Sequence, residues 1–328
     1  MPALILLEWR RAMERAGMGL NPAFKKESAN RKRYADVGYA AAFILPGLIL
    51  AAVFVFYPMV RNIEISLSKY AIISNSTTFL GLDNYKQLLI NDTNHKFWLA
   101  YRNNILYAAV TVPVTLLLAL ACATMINSVR RGAMLFRFTY YLPVITSWII
   151  VGYVFQYLFN GNGRGLVNYV LVDILHFLPA YVNWLNETWT TELVIWLLGI
   201  WKNTGWAMVI YLAALQGIPA ELYEAAGIEG AGPWSKFWKI TLPILKPTTF
   251  FLTVQLLIGS FNVFLQVLVL AGNDPTGKTG VLQYLMYDVS FHNFDFGQGA
   301  AIGVLTAISI FAITLALNRF LKSSQQAD

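Results

Sequence analysis

Charged residues are scarce in this chain, since Asp, Glu, Lys and Arg together make up 12% of its 328 residues. Soluble proteins carry about 25% charged residues. So few charges cannot cover a water-soluble globule of this size, and 57% of the chain is hydrophobic. The composition therefore predicts an integral membrane protein, with lipid as the solvent for much of its surface.

Cysteine and histidine are also rare. Cys122 is the single cysteine, so the chain can form neither a disulfide framework nor a thiolate metal site. His95, His176 and His292 are far apart and lack ligand spacing, so no metal site is predicted. The net charge of +7 comes from basic residues in short segments beside apolar runs. Such a distribution indicates membrane orientation rather than a nucleic-acid surface.

Six apolar segments reach the roughly 20 residues that a helix needs to cross a bilayer core. They are predicted at 37–58, 104–126, 138–159, 193–215, 248–271 and 297–320. The predicted fold class is therefore an all-α integral membrane protein with six transmembrane helices, spanning 37–320.

The distribution of Lys and Arg predicts the orientation. Sixteen lie on the side that contains the N-terminal segment 1–36, the loop 216–247 and the tail 321–328, against seven on the other side. Basic residues concentrate in cytoplasmic loops, so both termini are predicted to be cytoplasmic. The stretch from Leu166 to Leu185 is a seventh candidate, but it contains Asp173, His176 and Pro179. Because such residues are costly at the bilayer centre, we expect a helix at the outer surface instead.

The loop 216–247 is longer and more patterned than a simple connection. Pro219 in a first turn, Glu221 beside it, helix formers through Ala226, and Gly232-Pro233 as a stop predict a helix of about three turns. Such a helix is too short to cross the membrane. Its apolar residues therefore require a partner surface.

This loop resembles the EAA loop in permease subunits of binding-protein-dependent ABC importers. The matching residues are Glu224-Ala225-Ala226, Gly230 after three residues, and Ile240-Thr241-Leu242-Pro243 after nine more. The resemblance implies the type I importer permease fold. It also implies that Glu224, Ala225, Ala226, Gly230, Ile240, Leu242 and Pro243 dock a separate cytoplasmic ATPase. The partners implied are a second permease, identical or different, a dimeric ATPase and an extracytoplasmic solute-binding protein, at the bacterial inner membrane.

Other segments resemble the carbohydrate branch of this family, the maltose and glycerol-phosphate type. They are Phe79 to Tyr85, Gly165 to Asn168 and Trp201 to Gly205. The whole chain also resembles permeases of bacterial alginate importers. The resemblance thus implies transport of a carbohydrate, such as an oligosaccharide, and an acidic one such as alginate falls within this class.

The segment Gly272 to Thr279 fits the phosphate-loop pattern G-x-x-x-x-G-K-[ST]. It is predicted to lie outside the cell, and Asp274 and Pro275 place a charge and a missing N–H where a phosphate cradle needs donors. We therefore predict no cofactor in this chain and no catalytic residue. ATP and Mg²⁺ would bind the partner ATPase.

Polar residues within the predicted spans are candidates for a solute pathway. Gln255, Asn262 and Gln266 are separated by seven and four residues, which places them within 40° on one helix face together with Gly259. This face would contact sugar hydroxyls or, alternatively, hydrogen-bond another helix. Weaker candidates of the same kind are Tyr153, Gln156 and Trp201.

Lys202 lies near the middle of the fourth predicted span, where a charge costs about 2.5 to 3.5 kcal/mol. It could line the pathway, or it could make a structural pairing or a polar contact at a subunit interface, and the sequence leaves both alternatives open. A different class, an ion-coupled secondary carrier, would need carboxylates within the spans. The six predicted spans contain no Asp or Glu, which argues against that class.

Overall fold

The structure is a computed structural model, and it describes residues 42–71, 76–129, 132–162, 165–271 and 279–325. The N-terminal segment 1–36 and the segment 272–278, which holds Lys278 of the phosphate-loop-like pattern, lie outside these residues. The described chain is mainly helical. This agrees with the predicted all-α class.

The helices are numbered in chain order. They are α1 (Ala42–Ser66), α2 (Asp83–Leu89), α3 (Lys96–Ser128), α4 (Ala133–Ile145), α5 (Trp148–Leu158), α6 (Leu166–Asn168), α7 (Thr188–Gln216), α8 (Ala220–Ile228), α9 (Pro233–Lys236), α10 (Leu242–Ile244), α11 (Lys246–Phe261), α12 (Leu265–Leu270), α13 (Leu282–Tyr287) and α14 (Phe296–Gln325). π-Helical turns follow α6, α9 and α13 at Tyr169–Ile174, Phe237–Thr241 and Asp288–His292.

Within the described residues, α1, α3, α7 and α14 are long and apolar enough to cross a membrane. Two bent pairs raise the number to as many as six if each pair forms one span. One pair is α4 and α5, with a bend of 97°. The other joins Pro233–Ile244 to α11, with a bend of 62°. Six helices at the predicted positions are thus compatible with the structure, but they are not all straight.

The third and fifth predicted spans are interrupted. Residues 138–159 divide at Thr146 and Ser147, both of which have extended backbone. Pro143 lies within α4, three residues before Thr146, and the turn that precedes it is helical. Residues 248–271 divide between α11 and α12, where Phe264 has φ −142° and ψ −62°. The expectation of one continuous helix in each segment is therefore corrected.

The stretch 166–185 is much less helical than predicted. Its helix ends with the π-helical turn at Ile174, and the following residues are irregular. The side chain of Asn168, which is fully buried, stabilises this segment. Its Nδ2 donates to the carbonyl oxygen of Val182 at 3.0 Å, and its Oδ1 accepts from Nε1 of Trp184 at 2.8 Å.

The segment from Phe79 to Tyr85 connects a small hairpin to α2. Strand β1 (Ser68–Ala71) pairs antiparallel with β2 (Ser76–Phe79), with Ser68 opposite Phe79. Asn84 is buried and donates to the carbonyl oxygens of Ser66 and Ser68 at 2.9 and 3.0 Å. The buried amide of Asn84 therefore stabilises the hairpin.

The contacts between residues divide the chain into two units, one that ends at Asn62 and one that begins at Ile63. In the second unit, α3 and α7 pack through small residues. Ala119, Ala123 and Ala207 are fully buried at this contact. Side chains this small allow helix backbones to approach closely, which stabilises helix pairs in lipid. The two unbroken helices α3 and α7 thus form a close pair, against which α4 and α11 also pack.

Candidate functional site

A cavity of about 580 Å³ lies between α3, α7 and the broken pair α11 and α12. Gln255, Gly259, Asn262 and Gln266 all line it. The four residues that were predicted to share one helix face therefore border one cavity, although the helix is interrupted at Asn262. The residues reach it from both sides of the break rather than from one continuous helix. Their role in solute contact stays a prediction.

Asn104 on α3 stabilises the break between α11 and α12. Its side chain is fully buried, and its Nδ2 donates to the carbonyl oxygen of Ser260 at 2.9 Å. Its Oδ1 accepts from the backbone N–H of Leu282 at 2.8 Å. Inside a membrane, irregular backbone is tolerated only where protein or water satisfies its polar groups. One amide therefore satisfies backbone groups on two segments beside the cavity.

The amides of the predicted face have different surroundings. Gln266 is buried, and its side chain lies beside the hydroxyl of Tyr107. Asn262 is exposed to the cavity, donates to the carbonyl oxygen of Ile258 at 2.9 Å, and accepts from Nε2 of Gln283 at 3.1 Å. Gln255 is also exposed. Thus Gln255 and Asn262 present polar atoms to the cavity, whereas Gln266 is buried beside Tyr107.

Part of the cavity wall consists of residues that were not predicted from the sequence. Tyr107, Thr111 and Thr115 line it from α3, and their spacing of four residues places them on one helix face. Polar groups at this spacing in an apolar span were a usable signal. Trp148 and Trp206 add aromatic surface. No comparable spacing pointed to either tryptophan.

The other predicted pathway residues are not among the lining residues. Tyr153 is 60% exposed and Gln156 is half-buried, both on α5. Trp201 is partly exposed, and its ring lies 5.8 Å from that of Phe155. These positions give no geometric support for solute contact within this cavity.

Lys202 is buried, with 3% of its surface exposed. Its ammonium donates to the carbonyl oxygens of Pro143 and Thr146 at 2.6 and 2.5 Å, and lies 3.4 Å from that of Val144. It also lies 4.8 Å from the ring centre of Trp148. Of the two alternatives left open by the sequence, these contacts favour the structural pairing.

Glu192 bears on the prediction that the membrane spans contain no acidic residue. The fourth span was predicted to begin at 193, but α7 begins at Thr188 and places Glu192 within the candidate span. The carboxylate is buried, and within the described part of the chain neither oxygen accepts a hydrogen bond. The premise that the spans lack acidic residues is therefore wrong. The class of transporter has to be decided by other observations.

The predicted short helix in the loop is present as α8, and its end is well defined. Gly230 has φ +79°, a left-handed conformation that glycine adopts at little cost. The N–H of Ala231 donates to the carbonyl oxygen of Ala226 at 2.8 Å, and that of Gly230 to Gly227 at 3.1 Å. This pair of bonds is a Schellman cap. It ends the helix before the predicted stop at Gly232-Pro233.

A hydrogen bond connects α8 to the returning chain. The hydroxyl of Tyr223 lies 2.8 Å from that of Thr241, which is buried. Tyr223 also packs against the apolar cluster formed by α3, α7 and α11. Thr241 belongs to the matched motif but was not among the predicted docking residues. Its position shows that this matched residue fixes one side of α8.

The predicted docking residues differ in exposure. Glu224, Ala225, Gly230 and Pro243 are exposed, whereas Ala226, Ile240 and Leu242 are half-buried. Beside them, Leu222 and Ile228 are 44% and 90% exposed. The helix therefore presents a carboxylate and apolar side chains on its outer surface.

Taken together, these features define a polytopic membrane protein with a cavity lined by apolar and polar side chains and with a short, exposed helix between two of its candidate spans. Over residues 111–326 the chain matches the family described as "Binding-protein-dependent transport system inner membrane component". The chain belongs to this family, and is thus a multi-pass inner-membrane permease of the ABC transporter type. The ATPase of such transporters is a separate chain.

Named relatives agree with this family. The chain is 35% identical to the arabinooligosaccharides transport system permease protein AraP of Halalkalibacterium halodurans, over 83% of each chain. It is 31% identical to the lactose transport system permease protein LacF of Rhizobium radiobacter, over 86% of this chain and 92% of LacF. It also resembles one chain of the bacterial alginate ABC transporter solved with alginate pentasaccharide-bound periplasmic protein. That likeness has a TM-score of 0.72 and 25% identity, over 88% of this chain and 95% of the other.

Proposed function

We propose that this chain carries a carbohydrate, such as an oligosaccharide, through the inner membrane as the permease of an importer. The observation that carries the proposal is the cavity, in which exposed amides of Gln255 and Asn262 lie with the rings of Trp148 and Trp206. Amides suit sugar hydroxyls, and aromatic rings suit the apolar faces of sugars. The volume of about 580 Å³ falls in the usual range for small-molecule sites.

Relatives and contacts narrow the solute class. Two relatives are named as transport permeases for arabinooligosaccharides and for lactose, and the similar solved structure is that of an alginate transporter. An acidic sugar such as alginate would benefit from a cation in the pathway. The ammonium of Lys202 contacts backbone carbonyls instead. The lining residues of this cavity are uncharged, so we propose that recognition there uses the hydroxyl groups that all three kinds of sugar carry.

The proposed complex contains a second permease, a dimeric ATPase and an extracytoplasmic solute-binding protein. The family description names dependence on a binding protein, and the alginate transporter was solved with a periplasmic protein. In this arrangement ATP and Mg²⁺ bind the ATPase, and the present chain performs no covalent chemistry. The phosphate-loop-like segment then has no role in hydrolysis.

Coupling to the ATPase is proposed to occur through α8. The helix is exposed, is capped at Gly230, and is held to the returning chain by Tyr223 and Thr241. Glu224 offers a carboxylate to a basic group on the partner. A desolvated charge pair at such an interface contributes strongly to affinity. A docked ATPase could therefore move α8 together with the segment that leads into α11.

The solute class is tested with the purified complex, reconstituted in liposomes with its binding protein. Arabino-oligosaccharides, lactose and alginate oligosaccharides are added in turn, alongside a panel of amino acids. We expect at least one sugar to stimulate both ATP hydrolysis and uptake. Stimulation by amino acids, with no response to any sugar, would show that the carbohydrate assignment is wrong.

The pathway is tested by Asn262→Leu, which removes a polar contact from the cavity. Loss of one hydrogen bond to the solute corresponds to about 1 kcal/mol, or about a fivefold lower rate of uptake. Thr253→Val is the control, since Thr253 lies on α11 but does not line the cavity. Uptake and copurification of the ATPase are measured for both variants. Normal uptake by Asn262→Leu, and by Gln255→Leu, would assign this face to helix packing.

A further inference from the structure

Lys202 and Trp148 connect two features of the molecule, the break between α4 and α5 and the wall of the cavity. The buried ammonium contacts three carbonyl oxygens at the break and the face of the Trp148 ring. Trp148 is the first residue of α5, and its side chain lines the cavity. Lys202 itself is not a lining residue.

The chemistry of the break suits an ammonium group. A helix that ends leaves carbonyl oxygens without intrahelical donors, and its C-terminus carries partial negative charge. An ammonium has three donors and no acceptor. The three carbonyl oxygens of Pro143, Val144 and Thr146 can take all three donors. The positive charge is also attracted to the negative face of the indole.

We propose that Lys202 is a positioning residue for the cavity: its ammonium stabilises the break between α4 and α5 and thereby holds Trp148 at the cavity wall. The bend of 97° sets the direction in which α5 leaves the break. Without the ammonium, the buried carbonyl oxygens would need water or a straighter helix. Either change would displace Trp148. The proposal concerns the shape of the cavity, and depends on the proposed function only for its effect on transport.

The test measures cavity shape directly, without the solute. Gly259 lines the cavity, and a Cβ added there meets no atom within 4 Å, so a cysteine can be placed at this position. Gly259→Cys is made in a Cys122→Ser background, which removes the single native cysteine. The rate of labelling by sulfonatoethyl methanethiosulfonate is then measured on the purified complex. A reagent of this kind reports how accessible the cavity is at Gly259.

Adding Lys202→Met should change the labelling rate by about threefold or more, as expected for groups that are coupled through contact. Trp148→Ala should also change the rate, and the double variant should show no further change, because both act through the same ring. Lys202→Arg, which keeps charge and donors, should restore most of the parent rate. Lys69→Met is the matched control, because Lys69 is an exposed residue of β1, and this variant should label like the parent.

Three results would overturn the proposal. The first is a labelling rate for Lys202→Met that equals the rate of the parent, and the second is additive effects on the rate in the double variant. The third is a labelling rate for Trp148→Ala that equals the rate of the parent. The last of these remains decisive even if Lys202→Met fails to assemble. A purely structural role would reduce the amount of complex without coupling to Trp148. Altered labelling together with normal transport would keep this inference and refute the pathway assignment.

Discussion

Replacing Gly230 with alanine tests whether the end of α8 must keep its conformation for the ATPase to dock. Gly230 has φ +79°, and a Cβ built on it meets no atom within 4 Å. The substitution therefore adds no steric clash within this chain. Its cost comes from the backbone, because an L-residue is disfavoured in the left-handed region.

The expected magnitude follows from that conformational cost. A left-handed conformation costs a non-glycine residue about 1–2 kcal/mol, which corresponds to a factor of about 5–30 in an equilibrium. If the docked loop requires the cap, Gly230→Ala should weaken binding of the ATPase by up to this factor. Gly230→Asn should be milder, since asparagine tolerates this region better. Gly230→Leu should be at least as severe as alanine.

Gly232 provides a matched control two residues away. It has φ −69° and ψ 168°, which other residues adopt readily, and a Cβ there also meets no atom within 4 Å. Gly232→Ala should therefore be neutral. Copurification of the ATPase and solute-stimulated hydrolysis are measured for each variant. If Gly230→Ala matches Gly232→Ala in both assays, docking does not need the left-handed cap and the reasoning is refuted.

Two further predictions concern charge and nucleotide binding. Glu224→Lys should reduce copurification of the ATPase more than Glu221→Lys, because Glu224 belongs to the matched motif and Glu221 does not. Equal effects of the two substitutions would contradict the proposal that Glu224 forms a charge pair with the ATPase. Lys278→Ala should leave ATP hydrolysis by the assembled complex unchanged, since the ATPase is a separate chain. Loss of nucleotide binding in that variant, with assembly intact, would contradict this.

The presence and approximate position of α8 could be predicted because its signals are local. Pro219 and the Gly232-Pro233 pair act on the backbone within a few residues, and the helix forms between them. The predicted end was too late because the left-handed turn at Gly230 comes first. The bond between Tyr223 and Thr241 spans 18 residues and carries no comparable signature.

The helix breaks could not be predicted because their stabilising contacts are distant and involve backbone. Lys202 meets carbonyl oxygens 56 to 59 residues earlier, and Asn104 meets Ser260 156 residues later. Every residue carries a carbonyl group, so such partners leave no pattern in the sequence. Glu192 was missed for a different reason. A span defined by apolar residues excluded the polar first turns of α7.

Both breaks follow the same arrangement, which gives the proposed coupling a physical route. In each case a polar side chain from an unbroken helix, Lys202 on α7 or Asn104 on α3, satisfies backbone groups of a broken one. The cavity lies where the broken helix α11 meets the close pair α3 and α7. In sequence, α8 stands between α7 and α11, and the fully buried Leu245 leads directly into α11. We therefore propose that a displacement of α8 by a docked partner is transmitted to α7, to α11, or to both, and residues of both helices line the cavity.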